Sequence, residues 1–193
     1  DPIKRINRDP VRMIRAIRHA SRNNFTVEPK SWKAICQAHE KLPLCPPSRL
    51  RDELYKDLYG GWSQKWYKLA LDSHIFLELL PLYKKILHKE DSQNIPYISR
   101  LTDIFAVIDR TNTTLVENGL SRPRDYFLLA LVLLPWAEHR FQLGYQQPKG
   151  SERFHISRKI REALDTEIGP QLNLRKSVRQ EIVTLLINLP SFR

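Results

Sequence analysis

The sequence predicts an all-α fold. Only six glycines occur in 193 residues, and no stretch shows the sustained valine-rich alternation that a large sheet needs. Helix punctuation recurs along the whole chain: capping residues followed by Pro at starts, and Gly or Asn just past apolar-periodic stretches.

The first helix is expected to open at Asp9-Pro10, with Asp as N-cap and Pro at the first helical position, and to run to Asn23-Asn24. A short connection, Phe25-Thr26-Val27-Glu28-Pro29, leads to a second helix over 30–41. Leu42-Pro43-Leu44-Cys45-Pro46-Pro47 reads as a stiff linker. A third helix, 48–59, stops at Gly60-Gly61; a fourth covers 63–73, and a short apolar segment follows to Leu80. The polar stretch 84–93 reads as a loop and as the boundary between two helical units, 1–83 and 84–193. Long helices follow at 97–118, closed by Gly119, and at 124–143. A loop at 144–150 precedes the last two, 151–168 and 173–188. No repeat of fixed period is present.

Thirty-two Lys plus Arg against 21 Asp plus Glu leave a formal charge of +11 and a pI near 9.8. That balance predicts a polyanionic partner, nucleic acid being the usual one. A protein-interaction scaffold whose charge only aids solubility is the alternative. Cys36 and Cys45 lack the spacing of a metal site and read as reduced thiols. No apolar run approaches the ~18 residues of a membrane span; the longest, 126–137, suits a buried helix. No signal peptide is visible, and the chain is expected to work in the cytoplasm without a membrane. Six histidines form neither H-E-x-x-H nor a His-Asp pair, so no zinc-protease or HD-phosphohydrolase chemistry is predicted.

The first helix is the most informative segment. At ~100° per residue, Arg12, Arg15, Arg18 and Arg22 share about a third of the circumference, while Met13, Ile14, Ala16, Ile17 and Ala20 occupy the other side. Four guanidinium groups thus line about 15 Å of helix. Their planar forks suit phosphate oxygens. No acidic residue stands three or four positions away within the row, so the repulsion calls for an anion; a solvated charged face is the plainer reading.

The run Asp9-Pro10-Val11-Arg12-Met13-Ile14-Arg15-Ala16-Ile17-Arg18, followed by Phe25, resembles a block of the class II nucleotidyltransferases, the bacterial poly(A) polymerases and CCA-adding enzymes. Asp1-Pro2 is similar to the dipeptide that precedes this block in the polymerase branch. Pro46-Pro47-Ser48-Arg49-Leu50 with Glu53-Leu54 and Lys56 resembles the next motif, and Leu79-Leu80-Pro81 the one after it. The resemblance covers residues 1 to about 83 and implies an array of neck and body helices (1–83) and a tail (84–193). It implies that Asp9 and Arg12 recognise the incoming base of ATP or CTP: a carboxylate accepts from the exocyclic amino group while a guanidinium donates to the ring nitrogen. Arg15 and Arg18 are implied to contact the nucleotide, including its phosphates. The alternative is local: Asp9 caps the helix and Arg12 pairs with it across one turn.

The resemblance is incomplete. Arg8 stands where the family carries a glutamate, His19 where it carries a phenylalanine, and Asn23-Asn24 replace small or glycine residues. No Asp-x-Asp occurs in the chain, although two-metal nucleotidyl transfer needs paired carboxylates. This polypeptide is therefore expected to be inactive alone and to hold no catalytic or metal-ligating residue. The catalytic head, with its Mg and ATP chemistry, is expected upstream of Asp1. The expected partners are that head and an RNA 3′ end of mRNA or tRNA, gripped through Arg22, Arg49, Lys56, Lys65, Lys68, Arg158 and Arg161. Trp62, Trp66 and Tyr67 read as core before they read as base-stacking residues. Polyadenylation is the favoured activity, with CCA addition or a non-catalytic RNA-binding module as alternatives.

Overall fold

The computed structural model describes residues 1–87, 95–143 and 150–188. The chain begins with a helix that the sequence reading misses, α1 (Pro2–Arg8). Its signature is the same Asp-Pro pair that marks the expected start at Asp9-Pro10. Asp1 caps it, Oδ1 accepting from the Ile3 and Lys4 amides at 3.0 and 3.4 Å, and Pro2 takes the first helical position. Asp9 is no N-cap: it closes α1 in an extended conformation (φ −153°, ψ 90°). α2 (Val11–Asn23) starts after a helical Pro10 without any side-chain cap. Only two residues separate the helices, so the Asp9 carboxylate is released from capping and turned to other partners.

α3 (Pro29–Ala38) is capped by Glu28, whose two oxygens accept from the amides of Lys30 (3.0 Å) and Ser31 (2.8 Å). It passes into a 3-10 segment, His39–Leu44, earlier than the expected 30–41 helix ends; Pro43 has no N–H to bond the His39 carbonyl four residues back, and its ring would clash with it in an α-helix. α4 (Pro47–Leu58) and α5 (Ser63–Asp72) lie where expected. α5 lacks a local cap; Asp109, far along the chain, accepts from the Ser63 and Gln64 amides at 2.7 and 2.9 Å. α6 (Ile75–Leu79) and a 3-10 segment, Pro81–Lys85, complete this part.

α7 (Ile95–Glu117) ends as expected near Gly119, which takes φ +65° while Leu120 N–H reaches back to Leu115 O at 2.8 Å. α8 (Asp125–Phe141) and α9 (Gly150–Ala163) follow. The single helix expected over 151–168 gives way to a π-turn, Leu164–Ile168, and a short α10 (Gly169–Leu172) before α11 (Lys176–Asn188). The acidic pair Glu90-Asp91 and most of the expected loop at 144–150 fall outside the described residues. Among the described residues the fold is all-α, with no strand, and no helix is long and apolar enough to cross a membrane.

The boundary read at 83/84 does not interrupt the core. Buried apolar side chains from Ile6 to Ile187 form one cluster. Phe105 on α7 stacks on Tyr67 of α5 at 4.7 Å and meets Phe76 of α6 edge-on at 6.2 Å. The buried Tyr83 hydroxyl donates to Val132 O on α8 at 2.5 Å. Removing a ring from such a cluster costs about 3–5 kcal/mol. Phe105→Ala is therefore expected to lower the melting temperature while leaving a single thermal transition by circular dichroism. Two separated transitions would show that the helices before and after position 84 do not share a core.

Candidate nucleotide and RNA interface

α2 presents its guanidinium row as the sequence predicts, with Val11, Met13, Ile14, Ile17 and Ala20 buried on the opposite face. The anion that the row calls for is, in large part, internal. Glu53 and Asp57, one turn apart on α4, face the row from 35–39 residues away in sequence. Arg18 sits between them: Nη1 donates to Glu53 Oε2 at 2.5 Å, Nε and Nη2 to the two Asp57 oxygens at 2.6 and 3.0 Å, and Nη2 again to Glu53 O at 2.8 Å. Four hydrogen bonds occupy a group with five N–H donors. The expected contact of Arg18 with a nucleotide thus meets a fork already engaged, and only 13% of its side chain is exposed. Its partners are unreadable from spacing within α2 because they come from another helix.

Arg15 keeps a foot in both settings. It donates to Glu53 Oε1 through Nη2 at 3.0 Å and Nε at 3.3 Å, yet 46% of its side chain is exposed. Arg12 is freer, with 53% exposed and a loose 3.7 Å approach to Asp9 across one turn. Asp9 also accepts from Arg49 Nη2 at 3.2 Å, while its Oδ1 is buried without a hydrogen-bond partner. Asp9 and Arg12 thus meet across one turn, the local pairing that stands as the alternative to base reading. Their immediate neighbour Arg49, assigned to RNA by the sequence, is paired with that carboxylate while 42% of its side chain stays exposed.

Arg12 and Arg15 line a cavity of about 380 Å³ between α1, α2 and α3, together with Arg5, Ser31 and the apolar Ile6 and Ile35. Cations over an apolar floor suit a ligand with a phosphate end and a flat, weakly polar body. Arg5 escapes the sequence reading because α1 does. The Asp1-Pro2 cap is the signal that could have revealed it.

The other expected RNA contacts are dispersed. Arg22 is exposed, its guanidinium 5.3 Å from the centre of the Trp62 ring. Lys56 reaches Glu53 at 3.1 Å but stays 58% exposed. Lys65 donates to Asn24 Oδ1 at 3.2 Å, and Lys68 is exposed. Arg158 and Arg161 are exposed on α9, which packs on α8 and α11. Trp66 and Tyr67 are fully buried, as core side chains, whereas Trp62 is only partly covered.

Burial pushes the Glu53 carboxyl up, but Arg15, Arg18 and Lys56 outweigh it and hold the group down at about 2. For Asp57 burial wins over Arg18 and raises the carboxyl to about 7. No group of three or more His, Cys, Asp or Glu among the described residues could hold a metal ion. Glu53 and Asp57 lie close together, but their oxygens are taken by Arg15, Arg18 and Lys56. They do not fit a divalent cation.

Fold and surface together define a class: an all-α domain with exposed cations on α2, α4, α5 and α9. Residues 24–87 match the family described as "Probable RNA and SrmB- binding site of polymerase A". The chain is 36% identical over 81 residues to poly(A) polymerase I of Escherichia coli O6:H1, covering 42% of this chain and 17% of that protein. It is 38% identical over 93 residues to poly(A) polymerase I of Haemophilus influenzae, covering 48% and 21%. To the CCA-adding enzyme of Lactobacillus gasseri it is 37% identical over 75 residues, covering 39% and 19%. The N-terminal portion of the chain is thus similar to poly(A) polymerases and CCA-adding enzymes, and the matched segment, 24–87, is the one described as an RNA-binding site. The aligned part spans about a fifth of the length of these relatives.

The network has a defined response to mutation and pH. Arg18→Ala strands the buried Asp57 carboxyl and is expected to cost about 3–5 kcal/mol, read by chemical denaturation. Folded Glu53 stays charged down to about pH 2, against an ordinary 4.5, so its stabilisation is complete above 4.5 and is lost as the pH falls through 2. Asp57, raised from 3.8 to about 7, contributes fully below 3.8 and loses that contribution as the pH rises through 7. Glu53→Gln should flatten the acid limb of the stability curve, and Asp57→Asn the limb towards neutrality. An acid limb unchanged in E53Q would disprove the ion-paired state of Glu53.

Proposed function

We propose that this chain is the nucleotide-facing and RNA-gripping helical part of a template-independent RNA nucleotidyltransferase. In this reading, Arg12 and Arg15, with Arg5, hold the phosphates of an incoming nucleoside triphosphate in the cavity beside α2. Asp9 and Arg12 read its base, Asp9 exchanging Arg49 for the exocyclic amino group of that base. Arg18 is a positioning residue that fixes α2 on α4. Exposed cations, Arg22, Lys56, Lys65 and Lys68 among them, hold the RNA 3′ end. The paired carboxylates and the Mg of nucleotidyl transfer belong to a catalytic head joined to these helices. Addition of AMP from ATP is favoured over CCA addition by the resemblance of Asp1-Pro2 and of the Asp9–Met13 run to the polymerase branch.

One observation carries the reading. The segment matched to the RNA-binding family, 24–87, contains the α4 carboxylates that seat the arginines of α2. The RNA-binding part and the guanidinium row are thus one mechanical unit. A second reading, a non-catalytic RNA-binding module, draws support from the Arg49–Asp9 contact and the buried Asp9 Oδ1, which leave that carboxylate no free edge as it stands.

Kinetics and binding separate the two. In an enzyme carrying the head, Arg12→Ala and Arg15→Ala are expected to lower nucleotide incorporation at least about tenfold, the scale of one charge-assisted contact at 1.5–3 kcal/mol. RNA affinity, measured by fluorescence anisotropy, should change far less. Equal losses in both would favour the plain RNA-binding module. RNA affinity that does not fall as salt rises would exclude phosphate contacts altogether.

A further inference from the structure

The face of α4 turned away from α2 bears a second cavity, of about 630 Å³, bounded by the turn at 60–62 and the connection at 123–125. Its walls are aromatic and cationic: Tyr55, Tyr59 and Trp62, with Lys56 and Arg122. Arg122 lies 6.0 Å over the Tyr59 ring, and Arg22 lies 5.3 Å over the Trp62 ring. Among the described residues neither guanidinium makes an ion pair, so their N–H edges are available.

The local backbone is shaped around the indole. A Cβ on Gly60 would lie 2.4 Å from Cε2 and Cζ2 of Trp62, so only glycine lets the ring fold back there. Gly61 takes φ +82°, a conformation that side chains disfavour. The Trp62 Nε1 donor is buried with no acceptor. The two acids at the cavity are already engaged: Asp125 accepts from the Tyr59 hydroxyl at 2.6 Å, and Asp52 from Arg51 at 2.8 and 3.0 Å. The Tyr59 hydroxyl leaves the Asp125 charge in place, and Lys56 and Arg122 supply the positive charge of the walls.

We propose that this groove is a subsite for unstacked bases of single-stranded RNA, with Trp62 and Tyr59 as stacking surfaces and Arg22, Lys56 and Arg122 as phosphate contacts. Every base has a π-face, so aromatic walls accept bases without sequence choice, while guanidinium planes held over those rings meet the backbone. Duplex RNA cannot use the site, since its bases stay stacked. The proposal deepens the RNA-binding reading, rests on it, and extends it to Arg122, beyond the segment that matches the RNA-binding family.

The test is fluorescence anisotropy of the full chain with a short labelled oligoadenylate and with an RNA duplex of equal length. Trp62→Ala is expected to weaken single-strand binding by about 5- to 100-fold, Trp62→Phe to restore most of it, and neither to change duplex binding. Arg122→Ala should reduce the slope of log affinity against log salt by about 0.7. Should Trp62→Ala fail to fold, Arg122→Ala and photocrosslinking of a 4-thiouridine-substituted strand decide. Crosslinks in the peptide carrying Tyr59 and Trp62 support the subsite; crosslinks confined elsewhere overturn it. Salt-dependent RNA binding untouched by both alanine variants would reject the groove, leave the RNA-binding reading standing and hand the aromatic face to a protein partner. No single-strand binding at low salt would remove both.

Discussion

The pairing of Arg18 with Glu53 and Asp57 is the constraint on which the arrangement of the N-terminal helices depends. A guanidinium this enclosed is tolerable only when its donors are met by carboxylates of fixed geometry, and here four hydrogen bonds do so. The register between α2 and α4 follows, because Glu53 and Asp57 are one turn apart and bracket a single fork. With that register set, Arg15 shares Glu53 at the margin of the same contact and Arg12 is carried beyond it into the open. The exposure of the row falls from Arg12 to Arg18 for this reason alone.

The count of 32 Lys and Arg therefore overstates what a polyanion meets, while the formal charge of +11 already subtracts the carboxylates that pair with them. Arg18 is spent internally; Arg49 and Arg51 are turned to Asp9 and Asp52, and Arg179 to Asp165. Such pairs raise the arginine count without raising the surface potential. In the proposed reading, the cations left unneutralised gather where they can meet a ligand. Arg5 stands at the cavity beside α2, next to the loosely paired Arg12, and Arg22 and Arg122 lie over aromatic rings.

Much of the fold was legible because helix punctuation is local. Gly119, Asn23-Asn24 and Gly60-Gly61 mark ends that the structure respects. The failures share a cause in tertiary context. Asp-Pro is an N-cap signature at both Asp1 and Asp9, and only at Asp1 does the side chain cap; at Asp9 the neighbouring α4 offers Arg49 instead. The start of α5 is capped from α7 by Asp109, at a separation that no local pattern encodes. The guanidinium row was visible by periodicity, whereas its counter-charge was not, since Glu53 and Asp57 lie 35 and 39 residues downstream. Trp66 and Tyr67 were legible as core, and the partial exposure of Trp62 follows from a glycine pair whose purpose appears only once the indole is seen lying over it.

α4 joins these two surfaces through its own periodicity. Positions 53 and 57 point to α2 and carry the carboxylates that seat its arginines; positions 52, 55, 56 and 59 line the aromatic groove on the other side. Lys56 spans the two faces, its ammonium on Glu53 and its exposed stem along the groove. A strand lying in the groove would rest on α4, and a nucleotide on Arg12 and Arg15 would rest on α2, which α4 seats through Glu53 and Asp57. The α2–α4 ion pairs, rather than a flexible connection, would fix the distance between them. In the proposed reading, α4, within the segment that matches the RNA-binding family, would link the groove of the strand to the helix that carries the nucleotide contacts, and rigid spacing of this kind is what binding helices contribute to aligning two reactants.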